Sequence, residues 1–199
     1  MNVYGQCNAD GSRDFLTTAV STVTDPGVNH LYGICFDKAG NVYGSSQHTD
    51  NVLRFTKDTF EPMKPPSGMV HDIWIANEDV NGIYIVDQVT GRVKDIVDIP
   101  MPIGLHYSAH HGLVFVSSKG SKYQGSVYSI SVKTKEIVHK YKSKKMTHPT
   151  GLTTHETTLF VANQKRGQIV SFNIKSGRFL KYIVEDMPTG IEQILISPC

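Results

Sequence analysis

The residues with which this 199-residue chain could do chemistry are nine histidines, eighteen Asp plus Glu and three cysteines. Their spacing excludes more than it offers. There is no GxSxG, no HExxH and no glycine-rich phosphate loop ahead of a helix, so the common hydrolase and nucleotide-binding arrangements are missing. His106, His110 and His111 cluster in sequence, but His110-His111-Gly112 reads as a hairpin tip. His71-Asp72 and His155-Glu156 place a carboxylate beside an imidazole. Neighbours along a strand point to opposite faces, so neither pair is a dyad. Cys7, Cys35 and Cys199 are an odd, sparse set without CxxC spacing, which argues against a disulfide framework or a zinc knuckle. A formal net charge of +2 excludes a strongly basic nucleic-acid binder. Charge is uneven only between Lys119 and His148, a stretch ending in Lys140-Tyr141-Lys142-Ser143-Lys144-Lys145. Lys140, Lys142, Lys144 and Lys145, with Tyr123 or Tyr141 as a stacking surface, are the candidate nucleic-acid contacts. The same lysines would also guard an outer strand against edge pairing.

The elements that position these residues come from a repeat. Pro-x-Gly-apolar recurs at Pro66-Ser67-Gly68-Met69, Pro102-Ile103-Gly104-Leu105, Pro149-Thr150-Gly151-Leu152 and Pro188-Thr189-Gly190-Ile191, with a variant at Leu31-Tyr32-Gly33-Ile34. A period near 40 residues suits one four-stranded propeller blade. After each glycine block comes a β-branched run ending in a small polar residue: 42–46, 73–77, 114–118 and 159–163. Third strands follow at 51–55, 83–86, 126–130 and 169–172, and outer strands begin after the turn glycines Gly91 and Gly177. Helix signals are almost absent.

Ile191 to Ile196 reads as an innermost strand without a successor, and Asn2 to Cys7 as a second strand without a predecessor. Paired, they would close the array. The expected fold is therefore all-β, a propeller of five four-stranded blades closed by pairing of the N- and C-terminal strands. It would form a single domain over 1–199, with blades at 29–64, 65–100, 101–147, 148–186 and a composite of 187–199 plus 1–28. The rival is part of a six-bladed ring. No apolar run approaches the roughly 18 residues of a membrane helix, and Met1 to Gln6 has no basic start or hydrophobic stretch, so a cytoplasmic protein without membrane contact is expected.

In that register the channel mouth is lined by His30, Pro65, Met101, His148 and Met187, then by Gln47, Glu78, Lys119, Gln164 and Asn8. The candidate ligand-binding residues are His30, Gln47, Asn77, Glu78, His148, Asn163 and Gln164. The glycines carry a structural role, letting neighbouring backbones approach.

Segment 148–184 runs His-Pro-Thr-Gly-Leu, Leu-Phe-Val-Ala-Asn, Gly-Gln-Ile-Val-Ser-Phe and Gly-Arg-Phe-Leu. It resembles an NHL-type repeat, and more broadly the propeller group of gluconolactonases, strictosidine-synthase-like proteins, peptidyl-amidating lyases and streptogramin lyases. The Asp common at the end of the second strand in NHL repeats is replaced here by Ser46, Asn77, Ser118, Asn163 and Cys7. The resemblance implies either a binder or an enzyme. A gluconolactonase-type site would gather carboxylates and Asn around Ca²⁺ or another divalent ion. Asn77, Glu78, Asn163 and Glu192 are the candidate ligands, without that family's spacing. The leading expectation is a non-catalytic scaffold that binds a protein or small ligand on its loop face and needs no cofactor. The alternatives are a metal-dependent lactonase- or lyase-like enzyme and an RNA binder.

Overall fold

The computed structural model describes residues 2–3, 6–7, 13–14, 21–22, 31–36, 42–46, 51–55, 72–87, 90–120 and 124–196. The chain divides into two compact units, one of Met1–Gly68 with Pro198–Cys199, the other of Met69–Ser197.

In the first unit β1 (Asn2–Val3), β2 (Gln6–Cys7), β3 (Arg13–Asp14) and β4 (Ser21–Thr22) form two short antiparallel pairs, β1 with β4 and β2 with β3. Then β5 (Leu31–Phe36), β6 (Val42–Ser46) and β7 (Asn51–Phe55) make a three-stranded antiparallel sheet. Val42 and Phe55 face each other across it and are both buried.

The second unit holds three sheets. β8 (Asp72–Asn77), β9 (Gly82–Asp87) and β10 (Val93–Asp98) form the first. The second contains β11 (Pro102–Ser108), β12 (Leu113–Ser118), β13 (Ser126–Ser131) and β14 (Ile137–Tyr141), in that order. The third repeats it with β15 (Pro149–His155), β16 (Thr158–Asn163), β17 (Gln168–Asn173) and β18 (Phe179–Val184). A single 3₁₀ turn, Gln164–Arg166, is the only helical element among the described residues.

The middle sheet is sandwiched, and strand alternation sends its side chains both ways. Val114, Val116, Tyr128 and Ile130 pack with Ile83, Ile85, Val97 and Ile99 of the preceding sheet. Phe115, Val127 and Tyr141 pack with Leu152, Leu159, Val161, Val170 and Phe172 of the following one. Such apolar runs, buried on both faces, explain why Leu113-Val114-Phe115-Val116 lacks polar alternation.

In three of its five copies the glycine block proves to be a bulge; the copy at 66–69 lies outside the described residues and the one at 188–191 carries no strand. In the middle sheet Pro102 pairs with Ser118 but Leu105 with Val116, three residues against two. Pro149/Asn163 with Leu152/Val161 repeats this, as does Leu31/Ser46 with Ile34/Gly44 in the first unit. The extra residue bends the strand. The glycine then admits the backbone of the next repeat: a Cβ on Gly104 would lie 2.5 Å from the Thr150 carbonyl oxygen, and one on Gly151 would lie 2.6 Å from Gln193 Cα.

Outer hairpins repeat as well. The carbonyls of Asp87, Ser131 and Asn173 accept from the N–H of Gly91, Lys135 and Gly177 at 2.8, 2.9 and 2.9 Å, with φ of 69°, 63° and 68° at the three donors. Lys135 thus occupies a glycine position. Its ammonium lies 3.0 Å from Asp72 and 4.7 Å from the centre of the Trp74 ring, ties that offset a left-handed backbone. Lys94, 2.8 Å away, and Lys135 together hold the Asp72 carboxyl below the usual carboxylate range.

The expected five-bladed closure is overturned. β1 pairs with β4, and residues 191–196 carry no strand. The described sheets have two, three or four strands, not four throughout. An alternating apolar run becomes a strand only where a neighbouring ladder satisfies its backbone. Ile191–Ile196 instead lies beside β15, where the Thr150 hydroxyl donates to the Ile191 carbonyl at 2.7 Å. Leu195 stays 86% exposed, so one of the side chains that suggested a strand packs against little.

Candidate functional site

The repeat places two kinds of residue at one end of the second unit's sheets, one preceding the Pro-x-Gly block and one following the second strand. They are tied to each other. The Lys119 N–H donates to the Met101 carbonyl at 3.1 Å, and the Gln164 N–H donates to the His148 carbonyl at 3.0 Å. Identical backbone bonds in successive sheets therefore set Met101, Lys119, His148 and Gln164 in register.

Their side chains, with neighbours, form a polar row. Lys119 Nζ lies 2.6 Å from Glu78 Oε1, joining the end of the first sheet to that of the second. Gln164 Nε2 donates to the Glu192 carboxylate, joining the third sheet to the terminal segment. His148 is tied to Gln164 through its backbone carbonyl, and the charges of Lys119 and Glu78 act on its ring. Its Nδ1 is buried and has no hydrogen-bond partner within the protein, the only such side-chain nitrogen or oxygen among the described residues. Burial, then the ammoniums of Lys119 and Lys165, push its ionisation below that of an ordinary imidazole, with Glu78 opposing. The ring is therefore neutral near pH 7 and keeps a basic lone pair.

A cleft of about 390 Å³ opens beside this row, lined by Glu78, Asp79, Asn81, Pro100 and Met101. Its wall is fixed by the Met101 N–H donating to Asn81 Oδ1 at 2.8 Å and by the Ser118 hydroxyl donating to the Pro100 carbonyl. Both Asn81 and Met101 hold positive φ, 55° and 45°. A left-handed bulky residue persists only where its surroundings hold it, and such positions concentrate at functional sites.

The candidate residues separate accordingly. Glu78, His148 and Gln164 belong to the row. Asn163 does not: it is fully buried, its Oδ1 accepts from the Thr147 N–H at 3.1 Å, and its Nδ2 donates to the Lys145 carbonyl at 3.0 Å and to Gln168 Oε1 at 3.2 Å. It ties its strand end to the chain entering the same sheet, as Ser118 does one repeat earlier. Asn77 is exposed at the end of β8. His30 and Gln47 lie outside the described residues, as does Tyr123.

As a divalent-cation set, Asn77, Glu78, Asn163 and Glu192 do not fit. Every polar atom of the Asn163 amide is engaged, Glu78 is paired with Lys119, and Glu192 is bonded to Gln164. No three His, Cys, Asp or Glu side chains among the described residues converge to hold an ion.

The lysine run is likewise divided. Lys140 lies over Tyr128 and Lys145 over Tyr182, with 4.5 and 5.7 Å from ammonium to ring centre. Lys142 and Lys144 are exposed. Tyr141, expected as a stacking surface, is fully buried and donates to the Ile174 carbonyl at 2.9 Å, so no base can reach it.

Sequence reasoning placed Lys119 at the mouth without naming it a site residue, and did not single out Lys165. The signal for Lys119 was present in its equivalence to Glu78 and Gln164. That Glu78 and Lys119 would pair depends on how adjacent sheets are spaced.

No protein-family model matches the chain, nor does any curated protein. Solved structures do. A hydrazine synthase from Kuenenia stuttgartiensis is similar at 14% identity, covering 85% of this chain and 52% of that one, with a TM-score of 0.62. A streptogramin B lyase is similar at 16% identity, with coverages of 91% and 61% and a TM-score of 0.60. A catalytically inactive histidine-to-alanine variant of virginiamycin B lyase from Staphylococcus aureus, with quinupristin, is similar at 15% identity, with coverages of 95% and 66% and a TM-score of 0.64. The chain thus spans about half to two thirds of the length of these proteins. No described helix is long and apolar enough to cross a membrane. The expectation of a non-catalytic scaffold is overturned here, because the matched structures are a synthase and lyases. The chain shares the all-β fold of a broad propeller-related group that contains lyases, and this likeness is not specific to the NHL repeat.

Proposed function

We propose that the chain is an enzyme of the lactonase or lyase kind, built on NHL-like repeats, with His148 as its proton-accepting group. One observation carries the reading: an imidazole whose buried Nδ1 has no partner within the protein stands at a sheet end where the charges of Lys119, Lys165 and Glu78 act on it. A buried polar atom without a partner costs about 1–3 kcal/mol, and such atoms persist in native proteins where function uses them. Support comes from the fold, which similar structures use for lyases, one of them inactivated by loss of a histidine.

The chemistry follows from the ring's state. A base working near neutral pH must be uncharged there, and burial with two nearby ammoniums keeps His148 so. After it takes a proton, the imidazolium is stabilised by Glu78, the carboxylate that raises its basicity. The proton is then available for the leaving group.

Quinupristin and simple lactones are the probes, with products read by mass spectrometry. Lyase cleavage of a cyclic ester leaves the mass unchanged, while hydrolysis adds one water. His148→Ala is expected to lower turnover by roughly a hundredfold or more. Undiminished turnover in that variant, or no turnover of any probe by the wild type, contradicts the reading.

A further inference from the structure

Lys119 has two anchors. Its backbone N–H is fixed on the Met101 carbonyl at 3.1 Å, and its ammonium on Glu78 of the neighbouring sheet at 2.6 Å. An ammonium carries three N–H donors, and Glu78 takes one. The side chain is neither buried nor free, with 29% of its surface exposed. Its charge is felt at the His148 ring, as are those of Lys165 and Glu78. The adjacent cleft is walled by Glu78 and Met101, the two residues that hold Lys119.

We propose that Lys119 is a second catalytic residue of this site, its ammonium binding the negative charge that develops on a substrate oxygen when His148 removes a proton, and that Glu78 is its positioning residue. This rests on the reading of His148 as the base. The substrate class is one whose reacting centre becomes an oxyanion, such as an ester or lactone carbonyl. The C–H bond beside a substrate carbonyl breaks, its proton passes to the imidazole and its electron pair forms the enolate oxyanion that Lys119 stabilises without giving up a proton. The enolate then collapses to a C=C bond as the ester oxygen on the next carbon leaves as a carboxylate and takes the proton from His148. A fixed ammonium is suited to this because it needs no reorganisation at the moment of reaction. Holding Lys119 on Glu78 fixes the ammonium in advance, which a free lysine with four rotatable bonds would not achieve.

Two measurements test it. In the first, which uses no substrate, the His148 ring is titrated by NMR in wild type and in Lys119→Met. The midpoint is expected to rise in the variant and to return toward wild type in Lys119→Arg. An unmoved midpoint overturns the inference and leaves the role of His148 standing. The second is a kinetic cycle with quinupristin or a lactone as probe. Lys119→Met is expected to lower kcat at least about tenfold with little change in KM. Glu78→Ala is expected to lower kcat, and to cost clearly less in the Lys119→Met background than in the wild type, the remainder being its direct effect on the His148 imidazolium. Additive losses overturn the positioning role of Glu78. A raised KM with kcat unchanged overturns the catalytic role of Lys119. If Lys119→Met shifts the titration while His148→Ala leaves turnover intact, it is the reading of His148 that fails.

Discussion

At the scale of single residues, the same motif position serves opposite purposes. Ser118 and Asn163 end equivalent strands, and both turn inward to bind the chain that enters their own sheet. Glu78, Lys119 and Gln164, one residue further on, meet partners from a neighbouring repeat. Asn163 is therefore a stability residue. Asn163→Ala strands the Thr147 N–H and the Lys145 carbonyl, and is expected to cost about 1–3 kcal/mol by urea denaturation while leaving the His148 titration in place. A loss of His148 basicity without a loss of stability would reverse that assignment. Asn163 was among the expected ligands because its residue type suits both roles. Only its buried, fully bonded amide distinguishes them.

At the scale of elements, the glycine repeat was legible because its cause is local and recurrent. A bulge needs an extra residue, and a neighbouring backbone within van der Waals reach needs a missing Cβ. Gly104→Ala is expected to destabilise the protein by roughly 1–3 kcal/mol, since the added carbon meets the Thr150 carbonyl. Gly91→Ala, where no heavy atom lies within 4 Å of the added Cβ, bears only the cost of a left-handed φ. Equal losses at both sites in thermal melts would show that packing between repeats is not what the inner glycine serves. The third strands lie where period-two alternation placed them, and the outer hairpins turn at Gly91 and Gly177 as read. The Ile191–Ile196 strand was misread because alternation reports an apolar face and says nothing of whether a partner ladder exists. The hairpin at Lys135 was invisible for another reason. Nothing in its sequence announces a left-handed lysine, which is held in place by Asp72 and Trp74 of another sheet.

At the scale of the whole molecule, ionisation couples the site to stability. His106, His111 and His148 all ionise below the ordinary imidazole value in the folded chain, burial being the first cause in each. His106 is the most enclosed, its Nε2 2.9 Å from Thr154 Oγ1 on the next sheet. Below about pH 6.5 the unfolded chain binds more protons than the folded one. The contribution of these groups is therefore complete above that pH, and is lost as pH falls through their folded values. Urea midpoints taken from about pH 7.5 down to about pH 5 should decline, and His106→Gln should make the decline shallower. A flat profile would mean that these rings are not held neutral by the fold.

The pH dependence of kcat/KM on a turned-over probe reports the ionisation of the free enzyme's essential base, and so tests whether His148 is that base. An ascending limb is expected with its midpoint below that of a free imidazole, and it should disappear with the bulk of the activity in His148→Gln. A limb centred above the free-imidazole value, or one that survives in His148→Gln, would contradict the assignment of His148.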